Sequence, residues 1–202
     1  MESTCVANDW PARLRAAIAY DLPYAERSRN PDAESERSSA VLILLARDAA
    51  GEPALLLTKR TEGLRRHQGQ IAFPGGVTDP EDLTAERTAL RETEEEVGIA
   101  ASLVQVVGEL PQLSTTTGFV ITPVVAWSEV PLADIHLRLS LGELEVAFWA
   151  GLTELRSAYR REFFEIVPLR YPIHVFAVGP HRVWGATGAI IKNLLDRLDR
   201  IE

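Results

Sequence analysis

The longest apolar run in the chain is Ala40 to Ala46, AVLILLA. Seven residues are far too few to span a bilayer, and they read as a buried strand. Such a strand needs a sheet around it and helices over that sheet. The sequence supplies both. Val41–Arg47 and Pro53–Lys59 (PALLLTK) flank the turn sequence Asp48-Ala49-Ala50-Gly51 and make a hairpin. Ile71–Phe73 runs into Pro74-Gly75-Gly76, a turn of irregular backbone. Val104–Leu110 and Phe119–Trp127 are further strands, separated by the polar loop PQLSTTTG. Leu144–Trp149, Ile173–Val178 and Arg182–Trp184 carry weaker strand patterns.

Three helices are expected. Asn8 or Asp9 can cap a short one, with Pro11 in its first turn and Leu14, Ala17 and Ile18 as an apolar stripe. A second covers about Asp82 to Val97, with Asp79-Pro80 as its start. The third, Ala186 to Ile201, places Ile190, Ile191, Leu194, Leu195, Leu198 and Ile201 at helical spacing, either as core or as a dimer or partner face. Residues 21–39 are polar, are broken by Pro23 and Pro31, and read as an extended lead-in. The fold class is α/β (α+β): one domain over residues 1–202, with a mixed sheet and helices packed on it.

Composition narrows the function classes. Formal net charge is −8, which disfavours nucleic acid as a partner, because sequence-independent binding needs a broad basic face. The start, MESTCVANDW, has no apolar core of a signal peptide, and no run is long enough for a membrane span. Cys5 is the single cysteine, so no intrachain disulfide forms, which suits a reducing, cytoplasmic setting. The expected assembly is a monomer or homodimer.

Against this background LRETEEEVGI, residues 90–99, is unusual. At 100° per residue Leu83, Leu90 and Val97 stack on one face with Ala89 and Thr93 beside them, and that face is expected to be buried. Glu92, Glu95 and Glu96 cluster on the opposite face, and Glu94 projects away from them. A solvated acidic face is the plain alternative. Three features oppose it: no lysines are interspersed, the acids sit at the helix C-terminus where the dipole disfavours them, and a Gly-Gly turn precedes the helix. A cluster of hard oxygens is what Mg²⁺ or Mn²⁺ requires. Gly98 is placed to cap the helix in the left-handed conformation.

The stretch Gly75 to Ile99, GGVTDPEDLTAERTALRETEEEVGI, resembles the Nudix box, a glycine, five residues, a glutamate, seven residues, then R-E-U-x-E-E-x-G-U with U aliphatic. Arg91-Glu92, Glu95-Glu96, Gly98 and Ile99 fit its second half. Thr93 occupies the aliphatic position, the first half is one residue longer, and Asp82 stands near where the first glutamate belongs. Upstream, Leu56 to Gly76 reads LLTKRTEGLRRHQGQIAFPGG. It is similar to the coenzyme A pyrophosphatase signature L-L-T-x-R-[S/A]-x3-R-x3-G-x3-F-P-G-G. Leu56, Leu57, Thr58, Arg60, Arg65, Gly69, Phe73, Pro74, Gly75 and Gly76 match in register, and Thr61 departs. Gly118–Val124, Glu143 in ELEVAFWAGL, and Val183–Gly188 resemble later segments of that subfamily, extending the resemblance over about residues 37–195.

The resemblance implies an α/β/α sandwich over residues 37–195, with the box over residues 75–99 as loop-helix-loop; residues 1–36, outside it, read as an N-terminal helix and lead-in. It implies a Mg²⁺ or Mn²⁺ ion on Glu92, Glu95, Glu96 and a Gly75 carbonyl, with Arg91 holding the carboxylates in place. The implied substrate is coenzyme A, whose pyrophosphate is hydrolysed. Arg60, Arg65 and Arg66 are substrate-binding candidates, with His67 a lesser one, and Gly69, Phe73, Gly75 and Gly76 belong to the same site. Glu95, Glu143 or Glu145 is the proton acceptor. Another nucleoside diphosphate derivative, such as ADP-ribose or a dinucleotide, or an inactive nucleotide-binding domain, is the rival reading.

Overall fold

The computed structural model describes residues 9–22, 37–61, 69–166 and 169–201. Cys5, most of the lead-in (23–36), Arg65, Arg66 and His67 lie outside them. The main sheet comprises β1 (Arg37–Arg47), β2 (Pro53–Arg60), β3 (Ile71–Ala72), β4 (Gly75–Val77), β5 (Gln105–Glu109), β6 (Leu113–Ser114), β7 (Phe119–Trp127) and β8 (Leu144–Gly151). Its order is β3-β2-β1-β7-β5, with β4 on β1, β6 on β7 and β8 on β2. β1 and β7 run parallel and the other pairings are antiparallel, so the sheet is mixed. A second antiparallel sheet joins β9 (Tyr159–Ile166), β10 (Leu169–Val178) and β11 (His181–Val183).

The β1–β2 hairpin forms as expected. Asp48 Oδ1 accepts the N–H groups of Ala50 (2.8 Å) and Glu52 (2.9 Å), and Gly51 turns at φ 84°. From Ala40 to Ala46 β1 is apolar throughout because both of its faces are covered. Ala40, Leu42 and Leu44 join Leu56, Val124 and Ala126 under helix α2 (Ala85–Val97). Ile43 and Leu45 join Leu55, Leu57, Val125 and Trp127 under α1 (Trp10–Ala19) and α4 (Gly185–Ile201). Each fully buried leucine here contributes about 1.5–3 kcal/mol. The apolar stripe of α4 is core: Ile190, Ile191, Leu194, Leu195 and Leu198 are buried. No helix among the described residues is long and apolar enough to cross a membrane.

Four expectations are corrected. Helix α2 starts at Ala85, not near Asp82, because Thr84 accepts the Arg87 N–H on its side chain and residues 79–82 form a turn closed by Asp82 N–H to Asp79 O (2.9 Å). Leu83 therefore lies outside the helix and is 90% exposed, so the buried Leu83–Leu90–Val97 stripe is not formed. The face of α2 against the sheet is Thr88, Ala89, Thr93, Glu96 and Val97. Finally, α3 (Leu152–Ala158) and β9 were not anticipated, and β10 begins at Leu169 instead of Ile173.

Candidate active site

The C-terminal end of β2 carries Thr58, Lys59 and Arg60 between β3 and β8. The chain returns through Gly69 (φ 63°) and Gln70, whose carbonyl accepts the Arg60 N–H at 3.1 Å. Phe73 is buried in the core and anchors the turn that follows, while Pro74 O accepts the Leu42 N–H at 2.8 Å. Strand β4 then lies along β1, pairing Gly75 with Val41 and Gly76 with Ala40. Space and backbone require a glycine at 75, whereas at 76 a side chain would displace the Glu92 carboxyl. A Cβ on Gly75, whose φ is 152°, would stand 2.4 Å from Ala40 O. A Cβ on Gly76 would stand 2.4 Å from the carboxyl carbon of Glu92.

That contact brings the acids of α2 to the glycine turn. Glu96 is 3% exposed, not on the open face that helical spacing gives it. One of its oxygens accepts the Gly75 N–H at 3.1 Å, and the other meets Arg60 Nη1 at 3.4 Å. Burial pushes Glu96 up to about 7; the Gly75 N–H and the Arg60 charge oppose this, and Glu92 and Glu143 add to it. Glu92 is also raised, chiefly by burial, against the pull of Arg91 and with repulsion from Glu95 and Glu143. Glu94 and Glu95 are exposed.

Arg91 organises this end of the helix. Its Nη2 donates to Asp82 Oδ2 at 2.7 Å, its Nη1 to Glu92 at 2.9 Å and to Glu95 at 3.2 Å, and its Nη2 also to Val77 O at 3.3 Å. Asp82 Oδ1 also accepts from Arg91 Nε at 3.3 Å. The Arg91 hydrogen bond holds the Asp82 carboxyl below its ordinary range, and the same bond raises Arg91. Asp82 thus anchors the arginine that orients Glu92 and Glu95. Thr93, at the aliphatic position, satisfies its hydroxyl on Ala89 O at 2.6 Å and so fits a buried site.

Glu143 arrives from far along the chain. Segment 138–143 closes the C-terminus of α2: Arg138 N–H donates to Val97 O (2.8 Å) and Ser140 N–H to Glu96 O (2.9 Å). Glu143 O accepts the Thr61 N–H at 2.9 Å, and its charge raises both Glu92 and Glu96. Glu145 is instead paired with Lys59 at 2.8 Å. In the loop Ser114–Thr117, Thr115 and Thr117 bond to each other and Thr115 to Phe119. His174 meets Tyr159 and His181 stacks on Phe148.

Among the described residues no three acidic, histidine or cysteine side chains are grouped so as to hold a metal ion as they stand, because Glu92 and Glu95 turn to Arg91 while Glu96 turns to Gly75 and Arg60. The donor set nevertheless fits a hard divalent cation. Two desolvated carboxylates and a third acid repel one another across a backbone turn, and added positive charge relieves all three.

The Gly76 contact gives a first prediction. Gly76→Ala meets only the mobile end of Glu92, so the melting temperature should shift little. Hydrolysis should fall about 10–100-fold, the usual loss when a supporting position of a metal site is disturbed. A variant of wild-type activity would show that the place of Glu92 is unimportant.

The NUDIX domain family model matches residues 36–168. The Nudix hydrolase NudL of Yersinia enterocolitica is 36% identical over 173 residues, covering 84% of this chain and 86% of its own. NudL of Klebsiella pneumoniae is 39% identical over 168 residues, covering 79% and 82%. Among solved structures, the M. Smegmatis Nudix hydrolase RenU superposes with a TM-score of 0.58 at 20% identity, covering 83% of this chain and 89% of that one. The MutT protein of Methanosarcina mazei gives 0.52 at 22%, covering 83% and 96%. These two likenesses bear on the fold, an α+β mixed sheet with helices. Family match, curated relatives and fold agree: the chain belongs to the Nudix hydrolases and is an enzyme of the pyrophosphatase type.

Proposed function

We propose that this enzyme hydrolyses the pyrophosphate of coenzyme A, or of a coenzyme A derivative, to 3′,5′-ADP and 4′-phosphopantetheine. The observation that carries the reading is the segment Leu56–Gly76, whose signature residues meet the acids at both ends. Arg60 stands 3.4 Å from Glu96, and Gly75 and Gly76 bed Glu96 and Glu92. Coenzyme A carries a diphosphate and a separate 3′-phosphate, so an acidic protein must bring arginines to it locally. Arg60, Arg65 and Arg66 have the planar donor fork that suits phosphate oxygens. Gly69, Phe73, Gly75 and Gly76 shape the return of the chain to Glu92 and Glu96.

Glu92 and Glu96, with Glu95 and the Gly75 carbonyl, would hold Mg²⁺ or Mn²⁺, which when bound neutralises diphosphate charge and makes water more acidic. Arg91 keeps Glu92 and Glu95 oriented through its hold on Asp82. Water oxygen bonds to one phosphorus, the bridging P–O bond breaks, and the water proton passes to a carboxylate. Glu143 is favoured for that proton, because its charge acts on Glu92 and Glu96 while Glu145 is held by Lys59. Glu95 is the second candidate.

Glu143→Gln should lower kcat about 10²–10⁴-fold, the range for a general base. Glu145→Gln breaks only a surface ion pair, which is worth at most about 1 kcal/mol, and should leave kcat within about twofold. Equal losses in both would remove the assignment. The substrate is tested by incubating the protein with coenzyme A, dephospho-coenzyme A, ADP-ribose and NADH plus Mg²⁺ or Mn²⁺ and identifying products. Coenzyme A should be turned over with the highest kcat/KM. Preferential cleavage of ADP-ribose or NADH would favour the reading as a different nucleoside diphosphate hydrolase, and no turnover of any would favour a binding domain.

A further inference from the structure

We infer that Arg60 and a divalent cation compete for the Glu96 carboxylate, and that cation binding releases Arg60 to a substrate phosphate. The inference rests on the reading of Glu96 as a metal ligand. One Glu96 oxygen is held by the Gly75 N–H, so the other, which faces Arg60, is the one a cation can share. The Arg60 contact is made by a single nitrogen at 3.4 Å, well beyond the roughly 2.7–2.9 Å of a strong charge-assisted pair. Arg91 differs: it grips Asp82 at 2.7 Å and Glu92 at 2.9 Å and reaches Glu95 as well. One arginine is fixed and the other is weakly held.

The backbone of Arg60 cannot follow a departing guanidinium. Its N–H is bonded to Gln70 O at 3.1 Å, and it sits at a register shift between β2 and β8. Only the side chain moves, and it is partly open to solvent while Glu96 is not. A guanidinium and a dication at one carboxylate repel each other, so each weakens the binding of the other. An anionic phosphate that draws Arg60 away removes this penalty. Metal and substrate then bind with mutual reinforcement, because coupling between two ligands is reciprocal.

The test uses Mn²⁺ alone, titrated into wild-type protein, Arg60→Met, Arg60→Lys and Glu96→Gln and followed by electron paramagnetic resonance of the free ion. Arg60→Met should bind Mn²⁺ roughly tenfold more tightly than wild type, within the 5–150-fold range usual for site coupling. Arg60→Lys, which keeps the charge, should stay near wild type. Unchanged or weaker Mn²⁺ binding in Arg60→Met overturns the competition while leaving the metal site intact. Equal Mn²⁺ binding by wild type and Glu96→Gln overturns the metal reading itself, and the competition with it.

Discussion

Glu96→Gln is expected to lower turnover by at least about 100-fold, the loss typical when even a supporting group of a metal site is removed, and yet to stabilise the metal-free protein near neutral pH. The two effects have one cause. In the folded chain burial raises the Glu96 carboxyl to about 7 from an ordinary 4.5. The folded state therefore binds more protons than the unfolded state between those values, and stability falls as pH rises. The contribution is fully present below about 4.5 and is lost on passing 7, amounting to about 3 kcal/mol at about 1.4 kcal/mol per pH unit. Glutamine stays neutral and can still accept the Gly75 N–H. Urea melts with a chelator present should slope downward from pH 5 to 8 in the wild type and less steeply in the variant, where only the raised Glu92 carboxyl still contributes. Parallel slopes would show that Glu96 ionises freely in the fold.

The second large effect is expected at Arg91. Arg91→Ala strips Asp82, Glu92 and Glu95 of a shared partner. The Asp82 side chain is 6% exposed, and losing the partner of a buried charge typically costs 3–5 kcal/mol. The guanidinium is partly solvated and Glu95 is open to water, so about 2–3 kcal/mol is the appropriate figure after screening. Activity should fall as well, by about 10–100-fold, because Glu92 loses its orientation. Arg91→Lys should rescue poorly: one ammonium cannot meet four carboxylates (Asp79, Asp82, Glu92 and Glu95) and a carbonyl at once. Denaturation midpoints and kcat measured on the same preparations test this. A stable, active Arg91→Ala would mean that the acids orient themselves.

The elements legible in the sequence were those with strong local patterns. AVLILLA, the Asp48–Gly51 turn, the α4 stripe and Phe119–Trp127 each fix their own form. The acids of the site were legible as a group on one helix, but the burial of Glu96 was not. Helical spacing gives angles around an axis, and it does not reveal that β4 lies against that sector of α2. Leu83 escapes the helical count for a related reason: it precedes the Thr84 cap, where the helix begins. α3 and β9 escaped because LTELRSAYRREFFEI mixes charge and aromatics without either period. The hold of Asp82 on Arg91 could have been suspected from its place near the first box glutamate. The closeness of Glu143 to the acids depends on segment 138–143 docking on a helix end, which no local pattern encodes.

The parallel pairing of β1 with β7 brings the Ser39 hydroxyl to Val120 O, 81 positions away along the chain. β1 is also the strand against which Gly75 and Gly76 are laid. Contacts so distant along the chain pay a large loop-closure entropy before they return any energy, and they slow folding. A ribosome-bound chain that ends before residue 119 lacks the neighbour that completes the central strand. The glutamate-bearing helix would be synthesised long before it has a finished surface to dock on, so catalytic competence should emerge late, in step with closure of the central sheet.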